Sequence, residues 1–431
     1  MHDNEIFVPE GYRILDVEGV RQLITELPIA GALGGSKDSW RIEEVGDGNL
    51  NLVFLVRGTT GGFAVKQALP YVRLVGESWP LPLSRAHFEH SALVHQAEFA
   101  SGLVPSVQHY DATLSLMIME LLEPHIIMRH GMIAGTIYPR FADDISSFMA
   151  RTLFNTSPFA MSGHEFKSLV AHFAGNSAMC KITEDVIFTE PYMPCENNRW
   201  TRPWLDGWAE TIRQDDDLKR AVTRLKRKFM GSTEAMIHGD LHTGSVMLTA
   251  EDTRIIDPEF AFMGPMGFDV GAIIANLLLN YFSQIGHERN IGERNDYREW
   301  ILLTVEKVWT LFRSRFLELW QEKGSGDAYT ARIFGDDNHA AALNQEREAW
   351  MDHVFVNMMG FAAAKMIRRI VGIAHNIDLE SIEDSRIRAT AEARALQWVR
   401  DLMVNSKAYP DMAAITTTAR RVNETIPELT G

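Results

Sequence analysis

The sequence predicts an α+β fold in two lobes, a small β-rich N-terminal lobe over residues 1–120 and a larger, mainly helical C-terminal lobe over 121–431. Three observations predict it. The first lobe is written in short alternating or β-branched runs separated by glycine turns. Past Glu120, apolar residues recur at helical spacing over long segments. One strand-rich interruption, between Ile237 and Glu259, delivers acidic residues into two tight loops.

The elements follow in order. Residues 40–45 alternate, 51–56 are β-branched and apolar, and Gly61-Gly62 turns the chain into Phe63-Ala64-Val65-Lys66, which gives three successive antiparallel strands. From 84 to 100, Phe88, Leu93, Val94 and Ala97 recur at roughly helical spacing until Val104-Pro105 breaks the pattern. A strand near Val107 and another over 114–119 complete a β-β-β-α-β-β lobe. Helices are predicted over 142–154, 205–229, 272–282, 300–320 and 352–374. The apolar stretch 270–282 carries Asn276 and Asn280 and is shorter than a membrane span of about 18–20 residues, so it reads as a core helix. The glycine- and aspartate-rich segment 322–337 reads as a surface loop.

Composition sets limits. A chain of 431 residues with 46% apolar content buries a substantial core. A net charge of −15 argues against a nucleic-acid partner, because phosphate backbones recruit clustered Lys and Arg. Cys180 and Cys195 make neither a disulfide framework nor a metal-binding spacing and read as ordinary thiols of a reducing cytoplasm. Residues 1–5 lack the basic and apolar regions of a signal peptide, so a cytoplasmic protein with no membrane association is expected.

The chemistry is concentrated in the interruption. Ile237-His238-Gly239-Asp240-Leu241-His242-Thr243-Gly244-Ser245 brings Asp240 into one loop, and Ile255-Ile256-Asp257-Pro258-Glu259 brings two carboxylates into the next. Phosphoryl transfer needs one carboxylate beside the acceptor hydroxyl and others holding Mg²⁺ on the phosphates. Asp240 is the candidate for the first role, with His238 bracing its loop, and Asp257 with Glu259 for the second. Ser245 stands five residues after Asp240, where protein kinases place a metal-binding Asn, so Glu259 is the candidate for the missing oxygen ligand. The simpler reading of Asp240 is a turn aspartate before a glycine-containing loop.

Upstream, Gly46-Asp47-Gly48-Asn49-Leu50-Asn51 joins the first two strands and is either a phosphate-covering loop or a plain hairpin turn. Lys66 occupies the strand position of the lysine that pairs with the α- and β-phosphates. Glu89 and Glu98, on the following helix, are its possible partners; Glu89 is preferred, although each singly also reads as a solvated helix charge. Glu120-Leu121-Leu122, at the lobe junction, is placed to read an adenine edge through backbone groups. Arg368-Arg369 ends an apolar helix; adjacent positions lie about 100° apart, so one arginine is expected toward the cleft and the other toward the surface, or both serve a structural salt bridge. A β-rich lobe, a helical lobe and chemistry just past the junction make the two-lobed protein-kinase-like architecture.

Several longer segments carry a specific likeness. The run Lys66-Gln67-Ala68-Leu69-Pro70-Tyr71-Val72-Arg73, the segment Gly76-Glu77-Ser78-Trp79-Pro80, the loop from His238 to Ser245, Gly264-Pro265-Met266-Gly267-Phe268-Asp269, Asn276-Leu277-Leu278-Leu279-Asn280-Tyr281 and Ile367-Arg368-Arg369-Ile370-Val371-Gly372 together resemble the methylthioribose kinase family. The bare His-Gly-Asp motif is shared with aminoglycoside phosphotransferases and choline kinases. The resemblance implies ATP- and Mg²⁺-dependent transfer to the 1-hydroxyl of S-methyl-5-thio-D-ribose in methionine salvage, by a homodimer. It further implies that Asn49, Lys66, Glu120, Leu121, Leu122, Asp257, Pro258 and Glu259 serve ATP, that Asp257 and Glu259 hold the metal, and that Asp240, Arg368 and Arg369 contact the sugar. Two other readings stand beside it. A kinase for an aminoglycoside or choline needs a strongly acidic acceptor pocket, against which the arginine pair argues. A pseudokinase has lost a carboxylate or the lysine, whereas Lys66, Asp240 and Asp257 are all present.

Overall fold

The computed structural model describes residues 6–46, 50–72, 76–335 and 339–425; Asn49 and residues 336–337 of the predicted loop lie outside them. The chain enters through α1 (Val17–Glu26), a helix the strand-based reading did not anticipate. Asp16 caps it by accepting from Gly19 N at 2.8 Å, and Val20 and Ile24, four residues apart, are buried on one face.

The first lobe is a five-stranded antiparallel sheet. β1 (Arg41–Glu44), β2 (Asn51–Arg57) and β3 (Gly62–Ala68) form its first half. A small hairpin, β4 (Tyr71–Val72) with β5 (Gly76–Pro80), intervenes before α2 (Arg85–Phe99), which the predicted order lacked. β6 (Val107–Asp111) and β7 (Leu116–Glu120) complete the order β1-β2-β3-β7-β6. The period of two decides the faces: Leu52, Phe54, Val56, Phe63 and Val65 join Val20 and Ile24 in one core, while Lys66 projects to the other side, toward α2.

Past Glu120 the chain turns helical. A short strand β8 (Ile126–Ile127) leads into α3 (Met128–Ala134), α4 (Phe141–Asn155), α5 (Gly163–Phe173) and α6 (Ser177–Phe188). The single helix expected over 205–229 is two, α7 (Asp206–Gln214) and α8 (Asp216–Gly231). Asp215 breaks it: its backbone is extended and its side chain accepts from Leu218 N at 2.9 Å, capping the second helix. The strand-rich interruption is two small antiparallel ladders. β9 (Ala235–Ile237) pairs with β12 (Phe262–Gly264), and β10 (Val246–Leu248) lies between β8 and β11 (Thr253–Ile255).

Helix α9 (Met266–Ser283) is buried at every residue. Its length and composition would let it cross a membrane, but it is the core helix of this lobe, as the asparagines on it predicted. It packs along a later helix so closely that a Cβ on Gly271 would sit 2.6 Å from Met358 O. The remaining helices are α10 (Asn295–Lys323), α11 (Ala331–Phe334), α12 (Ala340–Val371), α13 (Ile377–Glu380), α14 (Ser385–Val404) and α15 (Met412–Thr425). The predicted 322–337 loop is tied down along its described length. Gly326 N donates to Phe159 O at 2.8 Å, Asp327 accepts from Gly163 N at 2.6 Å, and Tyr329 stands against Trp320 with ring centroids 5.2 Å apart.

Candidate active site

The site begins with Lys66 on β3. Its Nζ donates to Glu89 Oε1 of α2 at 2.7 Å and also pairs with Asp257. The preference for Glu89 is met; Glu98 faces solvent. Burial disfavours the ammonium, but Asp257, Glu89 and Glu259 outweigh it and raise the Lys66 pKa. Burial, only partly offset by Lys66, pushes Glu89 up to about 8. At Asp257 burial works the same way, yet Lys66 wins and the pKa is lowered. Asp257 adopts φ 70°, the left-handed conformation that an aspartate tolerates better than most side chains and that aims its carboxylate off the strand path.

Glu259 is buried and held on one oxygen. Its Oε2 accepts from Asn51 Nδ2 at 3.0 Å and lies 3.3 Å from Arg85 Nε. Arg85, fully enclosed, also donates to Asn51 Oδ1 at 2.8 Å and to Leu50 O at 2.9 Å, so it ties the end of the loop between β1 and β2 to the second acidic loop. Oxygens of Glu89, Asp257 and Glu259 lie within 4.8 Å of one another. Three carboxylates face two cations, Lys66 and Arg85, and all the donors are hard oxygens; both features suit a divalent cation such as Mg²⁺.

The loop that carries Asp240 is held by α9. Asp269 accepts from His238 N at 2.6 Å and from Gly239 N at 3.0 Å. His238 Nε2 lies 2.9 Å from Ile256 O, so this histidine does brace the loop. Gly239 has φ +83°, and a Cβ there would sit 2.1 Å from Phe260 O, which explains the glycine. Ser245 Oγ donates to Asp240 O at 3.0 Å, a contact that shapes the loop.

Asp240 emerges among cations. Lys365 Nζ of α12 donates to its Oδ1 at 3.0 Å, and His242 Nε2 lies 3.3 Å from its Oδ2. Burial opposes ionisation, but His242, Lys365 and Arg369 hold the Asp240 carboxyl well below the usual range. Burial also holds His242 down to about 4, so near neutral pH the imidazole is uncharged and the lysine and arginine are the charges acting on Asp240.

Three arginines surround this point. Arg129 of α3 donates to Asn276 Oδ1 at 2.9 Å and to Thr243 Oγ1 at 3.2 Å, and lies 3.3 Å from Asp378. Arg369 is 9% exposed and donates to Ala374 O at 2.7 Å, securing the turn after α12. Arg368 is half-buried, its Nε enclosed without a hydrogen-bond partner among the described residues. The expected division into one cleft and one surface arginine is therefore corrected: Arg369 is buried and tied to the turn after α12, and Arg368 is half-buried, so neither lies on the open surface. Burial and the neighbouring Arg368 and Arg129 push Arg369 well down, as a pocket crowded with positive charge requires.

At the lobe junction, Glu120 N donates to Ser106 O at 2.9 Å and the Glu120 carboxylate accepts from Arg254 at 3.0 Å. That leaves Leu122, buried just beyond β7, as the residue there whose backbone joins no hydrogen bond among the described residues. Arg85, Arg129, Asp269 and Lys365 had been given no role from the sequence. Of these only Lys365 carried a signal, a charge inside the apolar run 361–367.

Fold and site define a phosphotransferase of the kinase-like class, and residues 41–300 match the phosphotransferase enzyme family. Among curated proteins the chain is 45% identical to methylthioribose kinase 1 of Oryza sativa subsp. japonica, over 94% of this chain and 95% of that one. It is 43% identical to the methylthioribose kinase of Escherichia coli O45:K1, over 96% and 99% respectively. With that of Yersinia pseudotuberculosis serotype O:1b it shares 40% identity over 88% and 90%. The chain belongs to the methylthioribose kinase family.

Proposed function

We propose that this protein transfers the γ-phosphoryl group of ATP to the 1-hydroxyl of S-methyl-5-thio-D-ribose, giving the 1-phosphate and ADP in methionine salvage. The observation that carries the acceptor class is the set of cations around Asp240. A cationic aminoglycoside or choline would meet Lys365, Arg129, Arg368 and Arg369, whereas a neutral sugar meets donors for its hydroxyl oxygens.

Lys66, kept straight by Glu89, neutralises the α- and β-phosphates, and the backbone at Glu120-Leu121-Leu122, chiefly Leu122, reads the adenine edge. Asn49 and Pro258 complete the nucleotide contacts. Asp257 and Glu259 would hold Mg²⁺; the contacts of Glu259 to Asn51 and Arg85 both fall on Oε2, which leaves Oε1 uncommitted. Bound there, the metal would supply charge neutralisation on the transferring phosphates. Asp240 orients the 1-hydroxyl and accepts its proton as the sugar O–P bond forms and the bond from Pγ to ADP breaks. Arg368, whose enclosed Nε has no hydrogen-bond partner among the described residues, binds the sugar, and Arg369 supports the pocket wall.

The lobes divide at residue 120: β7 ends there, and the next strand, β8, pairs with β10 of the helical lobe. The enzyme works in the cytoplasm as a homodimer, without nucleic acid or membrane. A coupled ADP-release assay against methylthioribose, ribose, choline and an aminoglycoside tests the function. Methylthioribose should give by far the highest kcat/KM, and Asp240→Ala should abolish turnover; preference for choline or the aminoglycoside would defeat the reading.

A further inference from the structure

We propose that the groove walled by α8, α12 and the segment after α14 is a second binding site, separate from the active site, for a small molecule carrying several phosphate charges. The groove encloses about 840 Å³, within the range of about 300–1,000 Å³ typical of small-molecule sites. Arg220, Arg224, Arg227 and Lys228 enter it from α8, and Lys407 from the opposite wall. None of its lining residues belongs to the active site described above.

The charges there are not balanced by the fold. Asp217 is taken by Arg220 at 2.5 Å, and Asp401 accepts from the Tyr409 hydroxyl at 2.5 Å and from Asn405 at 2.6 Å. Arg224, Arg227 and Lys407 form no ion pair or hydrogen bond among the described residues, and Lys228 donates only to Asn357. Four cations without a salt-bridge partner thus converge in one concavity of a chain whose net charge is −15. The three on α8, residues 224, 227 and 228, stand at i, i+3 and i+4 on one helix face, where like charges repel one another. A polyanion relieves that repulsion, and guanidinium groups match phosphate oxygens two at a time. Ser406 and Asn405 add neutral groups to the same wall, and Asn357, 1% exposed, anchors Lys228 there while its Nδ2 lies 2.8 Å from His353 Nε2. The concave form suits a small polyphosphate and not a duplex or a bilayer, which need a broad basic surface.

The test titrates tripolyphosphate, ATP and inorganic phosphate into the full-length protein at low and moderate salt, with binding and stoichiometry read by calorimetry. Salt-sensitive tripolyphosphate binding is expected, weakened at least tenfold in the doubly substituted Arg224→Glu, Arg227→Glu protein, while KM for ATP in turnover stays unchanged. A second ATP equivalent lost in that variant identifies a nucleotide ligand and supports the site; equal affinity for inorganic phosphate shows that the extra phosphates add nothing and overturns the polyphosphate assignment. Lys407→Glu, on a separate element, gives the same reading should the double variant not fold. Unchanged tripolyphosphate affinity in both variants overturns the proposal. So does an altered oligomeric state with unchanged affinity, which would make the groove a subunit contact. Because the readout is binding away from the active site, it stands or falls independently of the acceptor assignment.

Discussion

Lys365 Nζ stands 3.0 Å from Asp240 Oδ1, joining two residues 125 positions apart in the chain. The lysine is enclosed, its ammonium also lying 4.5 Å above the centre of the Phe268 ring. Burial lowers its pKa, and the contact with Asp240 resists that. Lys365 thereby fixes both the direction and the charge of the carboxylate assigned to the acceptor hydroxyl.

Replacing Lys365 by Met removes a charge-assisted hydrogen bond worth about 1.5–3 kcal/mol, so kcat should fall about 10- to 100-fold while KM for ATP stays unchanged. The pH profile separates this from a packing defect. Asp240 must be ionised to accept a proton, and with one cation gone its pKa rises. The acid limb of kcat therefore moves to higher pH in the variant. An acid limb at the wild-type position would remove Lys365 from this role.

Asp257→Asn should weaken Mg²⁺-ATP binding and turnover together, with partial recovery at high Mg²⁺. It also takes a negative charge away from Lys66, whose pair with Glu89 remains. Nucleotide titrations with and without Mg²⁺ check it: an equal response in wild type and variant would take the metal away from Asp257.

Much of this was legible in the sequence, and the reason is locality. The strands show as period-two patterns, and Asp240, Asp257 and Glu259 lie within one short segment whose spacing reflects two adjacent loops. Lys66 and Glu89 could be joined because a strand and the next helix pack in sequence order. Asp269 and Arg85 act across 30 positions or more, the former 30 and 31 residues from the loop amides it accepts from and the latter 34 from Asn51, and no periodicity records such a meeting. The break at Asp215 was hidden because the apolar pattern runs on through a residue whose capping geometry appears only in the fold.

Arg368→Lys keeps the charge and loses the planar fork, so KM for methylthioribose should rise with ATP affinity unaffected. Arg369→Lys should act differently. Its guanidinium is committed to Ala374 O, and its loss should lower the melting temperature more than the sugar affinity. Steady-state kinetics and thermal melts of the two variants distinguish these outcomes; identical effects would mean the two arginines share one role.

Glu392 on α14 is 1% exposed and its Oε2 has no hydrogen-bond partner among the described residues. Burial pushes its pKa up to about 7. The folded protein therefore holds a proton that the unfolded chain, with a carboxyl near about 4.3, has released, so stability falls as pH rises from about 4 through 7. Glu392→Gln removes this loss and should stabilise by roughly 1–3 kcal/mol at pH 8, with little effect near pH 4. Melting curves at the two pH values check the sign.

The central claim is transfer to the anomeric oxygen, and the product itself tests it most directly. A phosphorus NMR spectrum of the reaction of ATP, Mg²⁺ and S-methyl-5-thio-D-ribose should show one phosphomonoester whose phosphorus couples to the sugar proton on carbon 1. A phosphomonoester coupled to a proton on another carbon, or ADP and inorganic phosphate alone, would contradict the account.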